Sequence, residues 1–123
     1  MRQEQVSGGI PTFIPQDGDP KWSYAGLAED KVTITEVQEK KAISQSATAG
    51  VYYFSAGKIF VKAAEEMIAN NDRVNNEFYV APVYNYVINA GHRVINYPIV
   101  GMYGTGTPED LELYKTTNHY RLL

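Results

Sequence analysis

The sequence predicts a single α/β domain, and three observations support this prediction. Its 123 residues are enough for one compact domain but not for two. The apolar residues of the first half favour β-strands, whereas two later segments repeat at the period of an α-helix. A strand and a capped helix then close the chain. This order of elements, without an internal repeat, is typical of an α/β fold.

The first half of the chain is predicted to be mostly β-structure. Residues 1–9 are polar, and we expect them to form a flexible leader before a domain that spans residues 10–123. Residues 23–28 and 32–37 flank a polar turn and predict a hairpin. Residues 48–54 are the strongest strand candidate, because β-branched and aromatic residues dominate there.

The second half switches to helical spacing. Apolar residues from Lys58 onward recur at i, i+3 and i+4, which predicts an amphipathic helix that ends at residues 70–72. A second helix is predicted over residues 77–89, with Pro82 near its first turn, where proline is tolerated. Gly91 follows as the expected C-cap.

The chain is predicted to end with a strand over residues 93–100 and a short helix. Thr107 is the expected N-cap of this helix, and Pro108 takes its first position. Glu109 and Asp110 place acidic charge in the first turn, where the helix dipole favours it. These local signals are consistent with one another and predict the helix start at Thr107.

Composition excludes several classes of function. The net charge of −3 gives no basic excess for nucleic acid or an anionic membrane surface. No apolar run approaches the roughly 20 residues that cross a bilayer, and the N-terminus lacks the apolar core of a secretory signal. The absence of cysteine removes disulfides, thiolate metal sites and cysteine nucleophiles. We therefore expect a cytoplasmic protein that binds neither nucleic acid nor membrane.

Several segments carry a more specific signal. They are residues 19–25 (DPKWSYA), 37–41 (VQEKK), 48–54 (TAGVYYF), 76–79 (NEFY) and 104–111 (GTGTPEDL). Taken in order, they resemble motifs of the sugar-1-phosphate nucleotidyltransferases of the glucose-1-phosphate thymidylyltransferase type. The resemblance covers roughly residues 10–117 and implies the C-terminal part of a Rossmann-like nucleotidyltransferase, a mixed sheet with flanking helices. The family's Gly-rich phosphate loop has no counterpart here, so the resemblance implies a fragment, a truncated gene product or half of a split enzyme.

The resemblance makes Lys40 the candidate catalytic residue. It implies that this lysine binds the phosphate of a sugar 1-phosphate, since a fixed ammonium offsets the repulsion between two phosphates that must approach. It also implies that Glu39 accepts hydrogen bonds from sugar hydroxyls. The alternative is that the Glu-Lys-Lys run is a solvated strand end, and the flanking strand motifs favour the site.

Further candidates for substrate binding lie on neighbouring predicted strands. A strand glycine permits close approach of a ligand, which makes Gly50 a candidate, with a bulge or tight packing as the alternative. Tyr24 and Ala25 align with a Tyr-Gly pair of the family, and a methyl group at Ala25 would narrow the pocket, so that the acceptor need not be glucose 1-phosphate. Tyr52 and Thr48 would line the same wall, although packing is the more ordinary role for each.

The resemblance implies a Mg²⁺-dependent reaction, but the sequence shows no metal ligand. Gly104 stands where many family members have an aspartate that helps to hold Mg²⁺. Glu109 and Asp110 are better explained as acids of the first helical turn. His92 and His119 are expected to be exposed surface residues.

Two functions remain open at this point. In the first, the chain is the acceptor-binding part of a nucleotidyltransferase that joins an NTP to a sugar 1-phosphate or a similar phosphorylated acceptor, releasing pyrophosphate for nucleotide-sugar and capsule polysaccharide biosynthesis. In the second, it is a non-catalytic module that associates with the missing nucleotide-binding half or with a second copy. We expect the isolated chain to be inactive, because half of a site lacks the phosphate cradle and the metal.

Overall fold

A computed structural model describes residues 5–15, 18–100 and 107–117. Within these ranges the chain forms one sheet and three helices, which confirms the predicted α/β class. The elements, in chain order, are β1 (Val6–Phe13), β2 (Ser23–Leu27), β3 (Ile34–Glu39), β4 (Ala47–Thr48), β5 (Tyr53–Phe54), α1 (Gly57–Ala69), α2 (Val83–Asn89), β6 (Arg93–Pro98) and α3 (Pro108–Thr116). No helix within the described ranges is both long and apolar enough to cross a bilayer.

Strand β1 is the centre of the sheet. β6 runs parallel to it along one edge, and β4 and β5 share the other edge in antiparallel pairing. β2 then pairs with β4, and β3 with β2, so the predicted hairpin of β2 and β3 is confirmed. A bridge between Thr33 and Ile95 ties the residue just before β3 to the outer edge of β6. The sheet is therefore mixed, with one parallel pair among antiparallel ones.

Helices α1 and α2 cover one face of the sheet, and Tyr84 of α2 joins the two layers. Its side chain is fully buried and its ring stacks on Phe54, with centroids 4.5 Å apart. The hydroxyl donates to the Tyr53 carbonyl at 2.8 Å and to the Gly9 carbonyl at 3.3 Å. Burial raises the pKa of Tyr84, so the phenol remains a neutral donor. The buried residues of this core are Ile10, Ala25, Ile34, Val37, Ala63, Met67, Ala81, Val83, Tyr84, Val87 and Val94.

A smaller cluster of buried side chains forms around Phe13, Tyr24 and Ala47. The ring of Trp22 packs edge-on against Phe13, with centroids 5.1 Å apart. This cluster lies where β1, β2 and β4 meet, and it fixes the start of β2. The position of Ser23, the first residue of β2, matters for the site described below.

The predicted leader is wrong for residues 6–9, which belong to β1. Gly8 and Gly9 lie within this strand, and glycine is favoured at both positions because aromatic rings occupy the space that a side chain would take. A Cβ at Gly8 would lie 2.8 Å from Cε1 of Tyr84, and one at Gly9 would lie 2.7 Å from Cε2 of Tyr97. Residues 6–9 thus extend the apolar run that begins at Ile10 into a central strand, although they show no alternating apolar pattern of their own.

Two predicted elements are shorter than expected. Residues 48–54 do not form one strand, because the left-handed φ of +80° at Gly50 turns the chain between β4 and β5. The second helix begins only at Val83, with Pro82 as its N-cap, since the residue before a proline disfavours helical backbone. The predicted α1, the strand at β6 and the Thr107 cap are confirmed, with the Thr107 hydroxyl accepting from Asp110 N at 3.1 Å.

Candidate functional site

Lys40 follows directly after β3 in a left-handed conformation, with φ of +57°. Non-glycine residues adopt this conformation rarely, and such strain is concentrated at functional positions. The backbone is nevertheless well held, because Lys40 N donates to the Trp22 carbonyl at 3.1 Å. The side chain itself is exposed. The backbone therefore fixes the position from which an accessible ammonium extends.

The ammonium of Lys40 contacts Tyr79, which lies in the segment between α1 and α2. Nζ of Lys40 is 5.3 Å from the centroid of the Tyr79 ring, within cation–π range. The interaction with the Tyr79 hydroxyl raises the pKa of Lys40, and the carboxylates of Glu39 and Glu77 act in the same direction. These contacts therefore favour the positively charged form of Lys40.

Glu39, the last residue of β3, is half-buried beside Lys40. Loss of solvent raises the pKa of its carboxyl group, and the positive charge of Lys40 partly opposes this. Its cross-strand partner on β2 is Ser23, and such partners project from the same face of a sheet. The carboxyl group of Glu39 thus lies on the face that carries Ser23.

Ser23, opposite Glu39 on the neighbouring strand, belongs to a buried wall of polar side chains. Its hydroxyl hydrogen-bonds that of Thr48 on β4, and the Thr48 hydroxyl lies 3.5 Å from the Tyr52 hydroxyl. Ser23 and Thr48 are 5% and 3% exposed and form the buried part of this wall, whereas Tyr52 is partly exposed and lies nearer the surface. Ser23 was not predicted to belong to the site, because a lone serine after a turn gives no functional signal.

Gly50 lies in the turn between Thr48 and Tyr52. It is exposed, and a Cβ added to it would meet no described atom within 4 Å. Tight packing, one of the two alternatives considered for this glycine, is therefore wrong, and its left-handed φ is the backbone reason for glycine here. The same open space would allow a ligand to approach the backbone.

The side chains of Tyr24 and Ala25 do not line an open wall, contrary to expectation. Both are fully buried, and the Tyr24 hydroxyl donates to the Asp19 carbonyl at 2.7 Å. The backbone of Ala25 is occupied as well, because its N–H donates to the Ser46 carbonyl and its carbonyl accepts from the Ser44 hydroxyl. The methyl group of Ala25 belongs to the main core and does not narrow a pocket.

Asn85 of α2 holds the free edge of β3 two residues before Glu39. Its Oδ1 accepts from Val37 N and its Nδ2 donates to the Val37 carbonyl, both at 2.7 Å. One side chain thus satisfies both backbone groups that a further strand would otherwise pair. The sequence analysis missed this contact, because an asparagine in an amphipathic helix resembles an ordinary solvated residue.

The described residues contain no group of three His, Asp or Glu side chains that could hold a metal ion. Gly104, where the resemblance implies an aspartate, lies outside the described residues, as does His119. His92 is exposed, as expected, and its Nδ1 lies 3.0 Å from the Ser7 hydroxyl.

Comparison with known proteins identifies the fold. No protein-family model and no curated protein matches the chain. It is similar to the solved structure of a nucleoside-diphosphate-sugar pyrophosphorylase from Vibrio cholerae, with a TM-score of 0.79 and 23% identity over 89% of this chain and 46% of that one.

Two further structures give the same correspondence. One, from Bacillus anthracis, is described as a glucose-1-phosphate thymidylyltransferase in complex with sucrose; its TM-score is 0.65, with 18% identity over 93% of this chain and 44% of that one. The other is a CMP:2-keto-3-deoxy-manno-octonic acid synthetase complexed with CTP, at a TM-score of 0.56 and 11% identity over 94% of this chain and 50% of that one. The chain spans about half the length of these structures, and it has the α/β fold of part of a nucleotidyltransferase.

Proposed function

We propose that this chain forms the acceptor-binding part of a nucleotidyltransferase that joins an NTP to a sugar 1-phosphate or a similar phosphorylated acceptor. The observation that carries the proposal is the exposed ammonium of Lys40, whose backbone is fixed directly after β3 and next to Glu39. The similarity of fold to sugar-nucleotide enzymes supports the same class of substrate.

In the proposed reaction, a phosphate oxygen of the acceptor attacks the α-phosphorus of the NTP. One P–O bond forms, the bond to the β-phosphate breaks, and pyrophosphate leaves. Lys40 binds the acceptor phosphate and offsets its repulsion from the triphosphate, which is the main electrostatic barrier to in-line transfer. Glu39 accepts hydrogen bonds from acceptor hydroxyls, while Thr48 and Tyr52 supply the polar wall beside it.

The product of this reaction would be a nucleotide-sugar. We propose that this product serves the synthesis of surface polysaccharide, such as capsule. We also propose a cytoplasmic location for the protein. The described residues supply the ammonium of Lys40 for the acceptor phosphate but no phosphate cradle for an NTP, so we propose that catalysis requires a separate nucleotide-binding half. We expect no pyrophosphate release by the 123-residue chain alone.

The proposal is tested by titrating the chain with glucose 1-phosphate, inorganic phosphate or glucose while amide shifts are followed by NMR. We expect saturable shifts at Glu39, Lys40 and Gly50 with the phosphorylated sugar and not with glucose. Lys40→Ala should abolish them, whereas Lys41→Ala, which removes the adjacent exposed ammonium, should not. Equal binding by Lys40→Ala and the unsubstituted chain would contradict the proposal.

A matched variant isolates the contribution of Tyr79. Tyr79→Phe keeps the ring near the ammonium but removes the hydroxyl that raises the pKa of Lys40. The pKa of Lys40, followed through its side-chain NMR signals, should fall toward its ordinary value, and phosphate binding should weaken at alkaline pH first. An unchanged titration of Lys40 would show that the hydroxyl has no such role.

A second function, association with another chain, is favoured by exposed apolar side chains around β5 and β6. Val51, Tyr53 and Tyr97 are 62%, 53% and 50% exposed. Exposed apolar patches of this kind commonly mark protein interfaces, and the partner would be a nucleotide-binding half or a second copy. Sedimentation of the chain over a range of concentrations tests self-association, and Tyr53→Ser with Tyr97→Ser should reduce it.

A further inference from the structure

A cavity of about 420 Å³ lies between α1 and α2, and none of the candidate acceptor-site residues lines it. This volume falls within the range of small-molecule sites. Its apolar lining includes Ile59 and Ala63 of α1 and Val87 of α2. The polar lining includes Lys58, Lys62 and His92. The lining thus combines apolar side chains with two lysines and an imidazole.

The two lysines break local rules of helix stability. Lys58 and Lys62 lie one turn apart on the same side of α1, a spacing at which like charges repel. Lys58 is also in the first turn, where the helix dipole disfavours a cation. No acidic residue is present in that turn, and the N-cap residue, Ala56, forms no side-chain hydrogen bond to the helix.

These lysines are not compensated by ion pairs. Within the described part of the chain, no carboxylate lies within ion-pair distance of either ammonium. The first turn of a helix normally carries acidic residues, so Lys58 is a departure from local rules of the kind expected at functional sites. An anion bound between Lys58 and Lys62 would relieve the repulsion.

His92 provides a third polar group at the same cavity. Its Nδ1 contacts the hydroxyl of Ser7, which is only 7% exposed, so the imidazole ring is oriented by β1. Nε2 remains as the ring nitrogen available to a ligand. Glu66, one turn beyond Lys62 on α1, lines the cavity as well. At this spacing its carboxylate offsets part of the charge of Lys62, and it disfavours a second negative charge in the cavity.

We propose that this cavity binds a small amphipathic anion with one charged end. A phosphate or carboxylate group would contact Lys58, Lys62 and His92, and an apolar body would pack on Ile59 and Val87. The site is separate from the acceptor site and goes beyond the proposed nucleotidyl transfer. A ligand there would bridge α1 and α2.

The test uses three probes of the full chain, each followed by amide shifts: phenyl phosphate, inorganic phosphate and benzyl alcohol. We expect phenyl phosphate to give saturable shifts in α1, α2 and His92. Inorganic phosphate, which lacks the apolar body, and benzyl alcohol, which lacks the charge, should each bind about tenfold more weakly. Binding of phenyl phosphate at Glu39, Lys40 and Gly50 would be recorded separately, because those amides belong to the acceptor site.

The variant Lys58→Gln/Lys62→Gln should weaken phenyl phosphate binding in the cavity about tenfold or more. The matched control Lys31→Gln/Lys115→Gln removes the same charge from exposed lysines elsewhere and should bind as the unsubstituted chain does. The proposal is overturned by equal saturation with inorganic phosphate, by shifts that the double variant leaves unchanged, or by the absence of saturable shifts. Shifts in α1 and α2 that follow protein concentration without a probe would overturn it in favour of self-association.

Discussion

The contact between Asn85 and β3 can be tested by Asn85→Ala. The substitution leaves Val37 N–H and C=O without partners beneath α2, where Val37 is fully buried. A buried backbone group without a hydrogen bond costs about 1–3 kcal/mol, so the loss of both partners should lower the free energy of unfolding by about 2–6 kcal/mol. For a domain of this size, that is a shift of roughly 2 M in the midpoint of urea denaturation.

Trp22 fluorescence can follow the unfolding, and hydrogen exchange of the Val37 amide reports the contact itself. The control is Asn89→Ala, which truncates an exposed asparagine at the end of the same helix and should change stability by less than about 0.5 kcal/mol. Asn85→Asp keeps an acceptor for Val37 N but brings a carboxylate oxygen to the Val37 carbonyl. It should therefore protect the amide more than Asn85→Ala does, while still losing stability.

The reasoning is refuted if Asn85→Ala unfolds at the same urea concentration as Asn89→Ala and leaves exchange at Val37 unchanged. Asn85→Ala could instead lose stability while glucose 1-phosphate still causes the same amide shifts at Glu39 as in the unsubstituted chain. In that case Asn85 would stabilise β3 without positioning the acceptor site. The two measurements therefore separate the structural contribution from the functional one.

Alanine substitutions at the neighbouring glycines Gly8 and Gly9 of β1 should differ in their effect on stability. Gly8→Ala places a methyl group against the buried, hydrogen-bonded Tyr84 ring and should lower the free energy of unfolding by about 1–3 kcal/mol. Gly9→Ala meets the half-exposed Tyr97 ring, which can turn away, and should lower it by less than about 1 kcal/mol; equal losses of stability in urea unfolding would contradict this. Glu39→Gln should become increasingly stabilising as pH rises above the ordinary carboxyl pKa of about 4.3, because the raised pKa of Glu39 means that its ionisation destabilises the fold. Urea unfolding of Glu39→Gln and of the unsubstituted chain at acid and neutral pH measures this effect. A difference in stability between the two proteins that does not depend on pH would contradict it.

Elements with strong local signals could be predicted from the sequence alone. The apolar period of α1 and the Thr107–Pro108 start of α3 are each encoded within a few neighbouring residues. The hairpin of β2 and β3 is similar, since Asp30 accepts from Val32 N and Thr33 N within the turn itself. Backbone propensity and capping act over this short range, so a sequence pattern is sufficient to find them.

The candidate acceptor site was only partly predictable. Glu39, Lys40 and Gly50 were predicted from their motifs, and their roles stay predictions. The structure places Glu39 at the end of β3, Lys40 directly after it and Gly50 in the turn after β4. Tyr24 and Ala25 were also predicted to bind substrate, but both side chains are buried. Tyr24 and Ala25 point to opposite faces of β2, and each face is covered by its own cluster of buried side chains, which the pattern of one strand does not reveal.

Contacts between distant residues were decided by the tertiary structure. Asn85 and Val37 are 48 residues apart, and Tyr84 reaches the Gly9 carbonyl across 75 residues. Burial of Gly8 and Gly9 in a central strand likewise depends on rings supplied by α2 and β6. The sequence by itself determined the strands and helices that local periodicity and capping specify. Only packing determined which side chains meet, because hydrogen bonding and steric fit between distant segments leave no periodic signal in either segment.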